Sequence, residues 1–194
     1  MLQRIAYTAG SQEPVSVDEA RAACRLDDAE LDLDLLLSIQ QAREQAEVLT
    51  GRCYRGQRLR DEFVGWPAGA TLCLPVHEAT AVEIRYRSAA QPDDWTLLDA
   101  SQYRWSSQRA DTRIDRRSTV ASWPELATPD YGSRVRVEVT AGPAADATLP
   151  ASVRRFILAH VAAWVELPAA LRAGGAVAVN PLAERLLDGE RLWR

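Results

Sequence analysis

The residues whose types could do chemistry are few: two histidines, three cysteines, one acidic run and several groups of arginines. His77 follows the run "ATLCLPV" close to Pro75 and reads as a loop residue. His160 falls on the apolar seam of a helical stretch, with no Ser, Cys or carboxylate at a recognisable catalytic spacing, so a core or interface histidine is the stronger reading. Cys24, Cys53 and Cys73 are widely separated, form no C-x-x-C pair and have no histidine at ligand spacing. They read as small hydrophobes, not as metal ligands or a disulfide framework. The run Asp27, Asp28, Glu30, Asp32, Asp34 lacks the glycine and terminal glutamate of a calcium loop. It reads as a solvated helix start favoured by the helix dipole. No Walker A, G-x-G-x-x-G, G-x-S-x-G or H-E-x-x-H motif occurs, and "AGG" at 173–175 has no strand before it. No cofactor or metal is expected, and no enzyme.

What remains is recognition chemistry. All 23 basic residues are arginine, so every cationic contact is a planar fork suited to bidentate carboxylate pairing. The arginine groups (Arg52, Arg55, Arg58, Arg60; Arg113, Arg116, Arg117; Arg154, Arg155) suit phosphates or inter-subunit ion pairs about equally. Six tryptophans, with Trp66, Trp95, Trp123 and Trp193 in loops or near an end, exceed what one core of this size needs. Aromatic and arginine enrichment together is the composition of a protein interface. A net charge of −4 argues against a dedicated nucleic-acid binder. With 194 residues, 47% apolar and 26% charged, about one domain with a real core is expected. The opening "MLQRIAYTAGSQEP" has no apolar stretch long enough for a signal peptide, and nothing reaches transmembrane length, so cytosolic synthesis and no membrane partner are expected.

The elements that must position these residues fall into three stretches. Ser16 and Glu19 make an S-x-x-E capping box, opening a short helix that runs to about Leu26. A second helix follows, in which Leu35, Ile39, Ala42, Ala46 and Leu49 form one apolar seam and Gly51 is the left-handed cap. From about 56 to 142 the period shortens to two. "QRLRDEFVG", "ATLCLPV", "AVEIRYRS", "SQYRWSS" and "SRVRVEVTAG" read as strands of one small, mostly antiparallel sheet, with "GWPAG", "AQPDDW" and "ATPDYG" as breakers. "SSQRADTRIDRRSTVASWPEL" reads as a long excursion. The helical period returns in "LPASVRRFILAHVAAWVELP", with Val153, Ile157, His160, Trp164 and Leu167 as its seam and Pro168 expected to stop or kink it. A small-residue linker leads to a last short helix, capped by Asn180 with Pro181 at its first position. The expected fold class is α+β: a helical core of N- and C-terminal helices (about 16–55 and 149–168), with an inserted antiparallel β-sheet (about 56–142) and a C-terminal linker, helix and tail (about 169–194), all in one domain.

Taken in order, "EPVSVDEARAACRLDD", "AREQAEVLTGR", "VRVEVTAG", "LPASVRRFILAHVA", the "GG" linker and "PLAERLL…RLW" resemble the head–tail connector (adaptor, or head-completion) proteins of tailed bacteriophages and related prophages. The resemblance runs from about Glu13 to Trp193. It implies a ring of copies, typically 12, beneath the portal vertex of the filled capsid. The C-terminal segment docks on the portal protein, the opposite face receives a stopper or tail neck protein, and DNA is met only in transit through the lumen. Such a protein is made in the bacterial cytoplasm and ends in the virion. Carried onto this chain, the portal-docking residues are Leu182, Leu186, Leu187, Arg191, Leu192 and Trp193, the last held out for the partner as a hot-spot aromatic. Members often end with a Pro-Tyr-Arg-like stretch where this chain has Gly189, Glu190 and Arg191. The competing readings are another neck or tail structural protein, a nucleic-acid-binding regulator acting through the arginine groups, and a hydrolase acting through His160.

Overall fold

The computed structural model describes residues 2–107, 111–128, 132–144, 147–172 and 181–192, with the backbone alone at 166–172 and 181–182. The chain divides into two compact units: Met1–Ser11, Gly56–Gly142 and Arg194 form one, Gln12–Arg55 and Pro143–Trp193 the other.

The second unit is helical. α1 (Val17–Cys24) starts on the capping box, with the Ser16 side chain accepting from the Glu19 N–H and the Glu19 carboxylate accepting from the Ser16 N–H. It stops two residues short of the expected end, because Arg25 adopts a left-handed conformation and its N–H closes on the last carbonyls. α2 (Asp32–Thr50) ends at Gly51, whose φ of 74° is cheap for glycine alone. α3 (Ala151–Arg172) continues past Pro168, where a stop or a kink was expected: a proline removes one helical N–H donor, and here that loss does not end the helix. α1, α2 and α3 pack on one another around Leu35, Ile39, Ala46, Phe156, Ile157 and Val161. On α3 the buried stripe is Val153, Phe156, Ile157 and Val161, with Leu158 and Val165 half-buried. The stripe is rotated from the expected seam, which leaves His160 half-buried and Trp164 41% exposed.

This unit also holds a charge that no periodicity announces. Arg43, mid-way along α2, is fully buried. Its Nε lies 2.8 Å from Glu13 and its Nη1 2.9 Å from Glu47. Arg55 approaches the other Glu13 oxygen at 2.7 Å, and the Tyr54 N–H donates to Glu47 at 2.9 Å. A buried cation is tolerable only when paired this fully. The network ties the segment before α1, the body of α2 and the chain leaving it.

The first unit is built of antiparallel strands, eight among the described residues. β1 (Gln3–Tyr7), β2 (Gln57–Phe63), β4 (Ala79–Ser88), β5 (Gln91–Leu97) and β8 (Val135–Ala141) make a five-stranded sheet in the order β1-β2-β8-β4-β5. β3 (Thr71–Leu74), β7 (Thr112–Arg116) and β6 (Tyr103–Ser107) make a second, three-stranded sheet. The α+β class with antiparallel sheets therefore holds, but with two sheets where one was expected. β5 occupies most of a stretch read as a breaker. It is an edge strand, where Pro92 removes no necessary ladder bond. β7 lies inside the supposed excursion, its Thr112 and Ile114 buried and Arg113 exposed between them. β8 is central: Val135, Val137, Val139 and Ala141 are buried on one face, while Arg136, Glu138 and Thr140 point to the other.

Candidate functional site

Three surfaces bear on recognition, and each is built from residues singled out in the sequence. The first is the C-terminal segment of the helical unit. α4 (Pro181–Arg185) is followed by tight turns, with Leu187 donating to the Glu184 carbonyl and Glu190 to that of Leu187. The segment then folds back along the end of α2. The Leu192 N–H donates to the Thr50 carbonyl at 3.0 Å, Arg52 Nε donates to the Glu190 carbonyl at 2.8 Å, and the Leu192 side chain lies over Gly51. Leu187 is 0% exposed and part of the helical core, with Leu186 half-buried against it. Leu187, two residues beyond α4, is a core residue in this fold, drawn into the apolar space among the helices. Leu192 and Arg191 remain half-exposed, Arg191 lying 3.4 Å from Asp188. The Leu182 side chain and all of Trp193 lie outside the described residues, as do Asn180 and the small-residue linker.

The second surface is the polar face of the five-stranded sheet. Here β2 contributes Arg58, Arg60 and Glu62, β8 contributes Arg136 and Glu138, and β4 contributes Glu83 and Arg85. Glu138, only 8% exposed, is clamped by Arg58 at 2.5 Å and Arg60 at 2.7 Å. Burial would raise the Glu138 pKa, but the two guanidiniums outweigh it and hold the carboxyl below its ordinary range. Arg136 pairs with Glu62 at 2.8 Å and lies 4.0 Å over the Trp95 ring, with Arg87 at 4.8 Å. A recess of about 900 Å³ opens on this face, lined by Arg58, Glu83, Leu97, Asp99, Tyr103 and Glu138 among others. The third is a smaller recess of about 500 Å³ on the three-stranded sheet, containing Arg104, Arg116 and Arg117.

These placements revise the reading of the loop aromatics. Trp66 stacks on Trp123 at 4.7 Å and donates to the Pro124 carbonyl at 2.8 Å, so the two rings pin loops to the sheet. Of the arginine groups, Arg52, Arg55, Arg58, Arg60 and Arg154 are engaged within the chain, Arg154 with Glu19. Asp32 of the acidic run takes a bidentate bond from Arg21 and fastens α1 to α2. His160 makes its ring contact with Phe156 at 4.1 Å and its Nδ1 contact with the Phe156 carbonyl at 3.2 Å. No group of three potential ligands that could hold a metal occurs among the described residues, and the three cysteines form no disulfide. The chemistry on view is ion pairing and apolar docking.

Over its whole length the chain superposes on solved structures of one kind of particle. The neck of an empty gene transfer agent particle, computed with C6 symmetry, matches at a TM-score of 0.77 and 25% identity, covering 100% of this chain and 96% of that one. The virion of a native gene transfer agent particle matches at 0.75 and 26%, and the neck of the native particle with C12 symmetry at 0.70 and 26%, with the same coverage. The chain has the fold of a phage-like neck protein. The neck fold agrees with the resemblance to head–tail connector proteins that the sequence motifs carry. No protein-family model and no curated protein matches the chain.

Proposed function

We propose that this protein is a structural component of the neck of a phage-like particle, a ring-forming adaptor seated beneath the portal and joining a DNA-filled capsid to the tail. The observation that carries this reading is the whole-chain likeness to neck proteins of particles with C6 and C12 symmetry. In this reading the protein is not an enzyme, and its place is in the virion. It works as one adaptor whose helical core of N- and C-terminal helices carries the strands as an insertion. Copies assemble as a ring, with 12 the expected number. The tail around Leu186, Arg191, Leu192 and Trp193 meets the portal protein, another face meets a stopper or tail protein, and the genome passes through the lumen. A C-terminal segment held to the end of α2 by a few part-buried bonds suits this role: those bonds can exchange for a partner's without unfolding the core.

The test is co-assembly with the portal protein of the same genome, read by size-exclusion chromatography with light scattering. The intact chain is compared with one ending at Asp188. A ring complex formed by the intact chain and lost on truncation is the expected result. A complex that survives truncation retains the adaptor role and removes the tail from the docking site. No complex with either chain counts against the adaptor role itself.

A further inference from the structure

Arg116 and Arg117 stand apart from most arginines of this chain because they have no carboxylate partner among the described residues. Arg116 donates from Nη1 to the Val120 carbonyl, and Arg117 from Nε to the Tyr103 carbonyl at 3.1 Å. Their backbones are fixed as well, Arg116 N–H to Ala70 and Arg117 N–H to Gln102. Arg104, 72% exposed at its side chain, is 3.6 Å from Asp115 and lines the same recess, with Ser118 and Thr119 adding hydroxyls. No carboxylate is among the lining residues. Trp105, next in the edge strand β6, is exposed. Two guanidiniums whose hydrogen-bond partners among the described residues are carbonyls form a preorganised site for a carboxylate-bearing segment.

The chain carries a segment of that composition. Asp27, Asp28, Glu30 and Asp34 are exposed and have no ion-pair partner among the described residues, whereas Asp32 is taken by Arg21. Between and after them stand exposed leucines: Leu31, Leu33 (69% exposed) and Leu37. A closed ring of more than two identical subunits needs two different, complementary patches on each copy.

We infer that the acidic, leucine-bearing turn at Asp27–Asp34 of one copy docks in the Arg104/Arg116/Arg117 recess of the next. This rests on the ring-forming reading above. A DNA backbone would satisfy the guanidiniums but would leave Leu33 and Leu37 uncovered, and the net charge of −4 disfavours it. The planar arginine fork matches a carboxylate, and an ion-paired rim around apolar contacts sets register in a heterologous interface.

The experiment is sedimentation velocity of the full chain, alone and with the portal protein, at about 50 and about 500 mM salt. Three variants are compared: R116E/R117E, D27R/D28R and all four together, each first shown to be folded by circular dichroism. Self-association is expected to weaken about tenfold or more in either double variant and to return in the quadruple variant. A mixture of the two double variants should regain association in alternating copies, since the acidic turn meets the basic recess at one junction and the basic turn meets the acidic recess at the next. Association that neither double variant changes overturns this inference and leaves the ring reading standing. Absence of wild-type association in both samples overturns both. A duplex DNA probe bound by the wild type and lost in R116E/R117E, with self-association unaltered, makes the recess a phosphate site and also overturns the inference.

Discussion

At the scale of single residues, the molecule settles most of its charges internally. Glu138 shows the logic: a carboxylate in a central strand, directly opposite Glu83 of β4, is stable there only because Arg58 and Arg60 reach across from β2. A carboxyl whose folded pKa is depressed stabilises the fold fully above its ordinary pKa of 4.5 and loses that stabilisation as pH falls through the lowered folded value. Glu19 behaves alike: its carboxyl is held low by the Ser16 N–H and, against burial, by Arg154. Chemical denaturation between pH 7 and pH 3 should therefore show stability falling on the acid side, and E138Q should flatten that fall while lowering the plateau. An acid limb unchanged by E138Q would mean that the Glu138 clamp contributes nothing. Leu187 is the apolar counterpart. Deleting three carbons from a fully buried position costs about 2–5 kcal/mol, so L187A should lower the thermal midpoint of the helical unit clearly. A change within a few tenths of a kcal/mol would show that the segment is not held as described.

At the scale of elements, caps and edges decide where regular structure stops. Ser16 with Glu19 starts α1, and Gly51 ends α2. Both follow from local chemistry: a short polar side chain reaches its own backbone, and glycine alone enters the left-handed region cheaply. Gly51→Ala leaves the new methyl in ordinary contact with Leu192 at 3.7 Å, so its cost is conformational, about 1 kcal/mol. Urea unfolding should show that loss, with no change in the slope of the transition. Two strands worked the other way. β5 sits in a stretch rich in Pro and Asp, and β7 in a stretch with no clear alternation. Both are strands because a neighbour offers them a ladder: β4 pairs with β5, and β3 and β6 flank β7. Propensity alone does not place such strands, since pairing supplies the hydrogen bonds that a lone strand lacks.

At the scale of the whole molecule, recognition rests on what the two units leave unsatisfied. Most loop tryptophans and most arginine forks are spent inside the chain, so the composition of an interface was here largely the composition of a stapled sheet. Among the described residues the groups left over include the leucines and carboxylates at the start of α2, the Arg116/Arg117 recess, the C-terminal segment after Leu187, and the exposed Val48, Val64, Leu97 and Trp164. Sequence by itself determined the α+β class, the antiparallel strands with strong alternation, the caps, the lack of any recognisable catalytic motif and the resemblance to connector proteins. These depend on patterns within a few residues, or on motif order along the chain, and short-range physics writes such patterns directly into the residue types. Only the tertiary structure decided that Arg43 is buried between Glu13 and Glu47, that Trp66 rests on Trp123, and that Leu187 belongs to the core while Arg116 and Arg117, among the described residues, bond to carbonyls. Each of those outcomes is a competition among partners distant in sequence, and the winner is fixed by which atoms the fold brings within about 3 Å of one another.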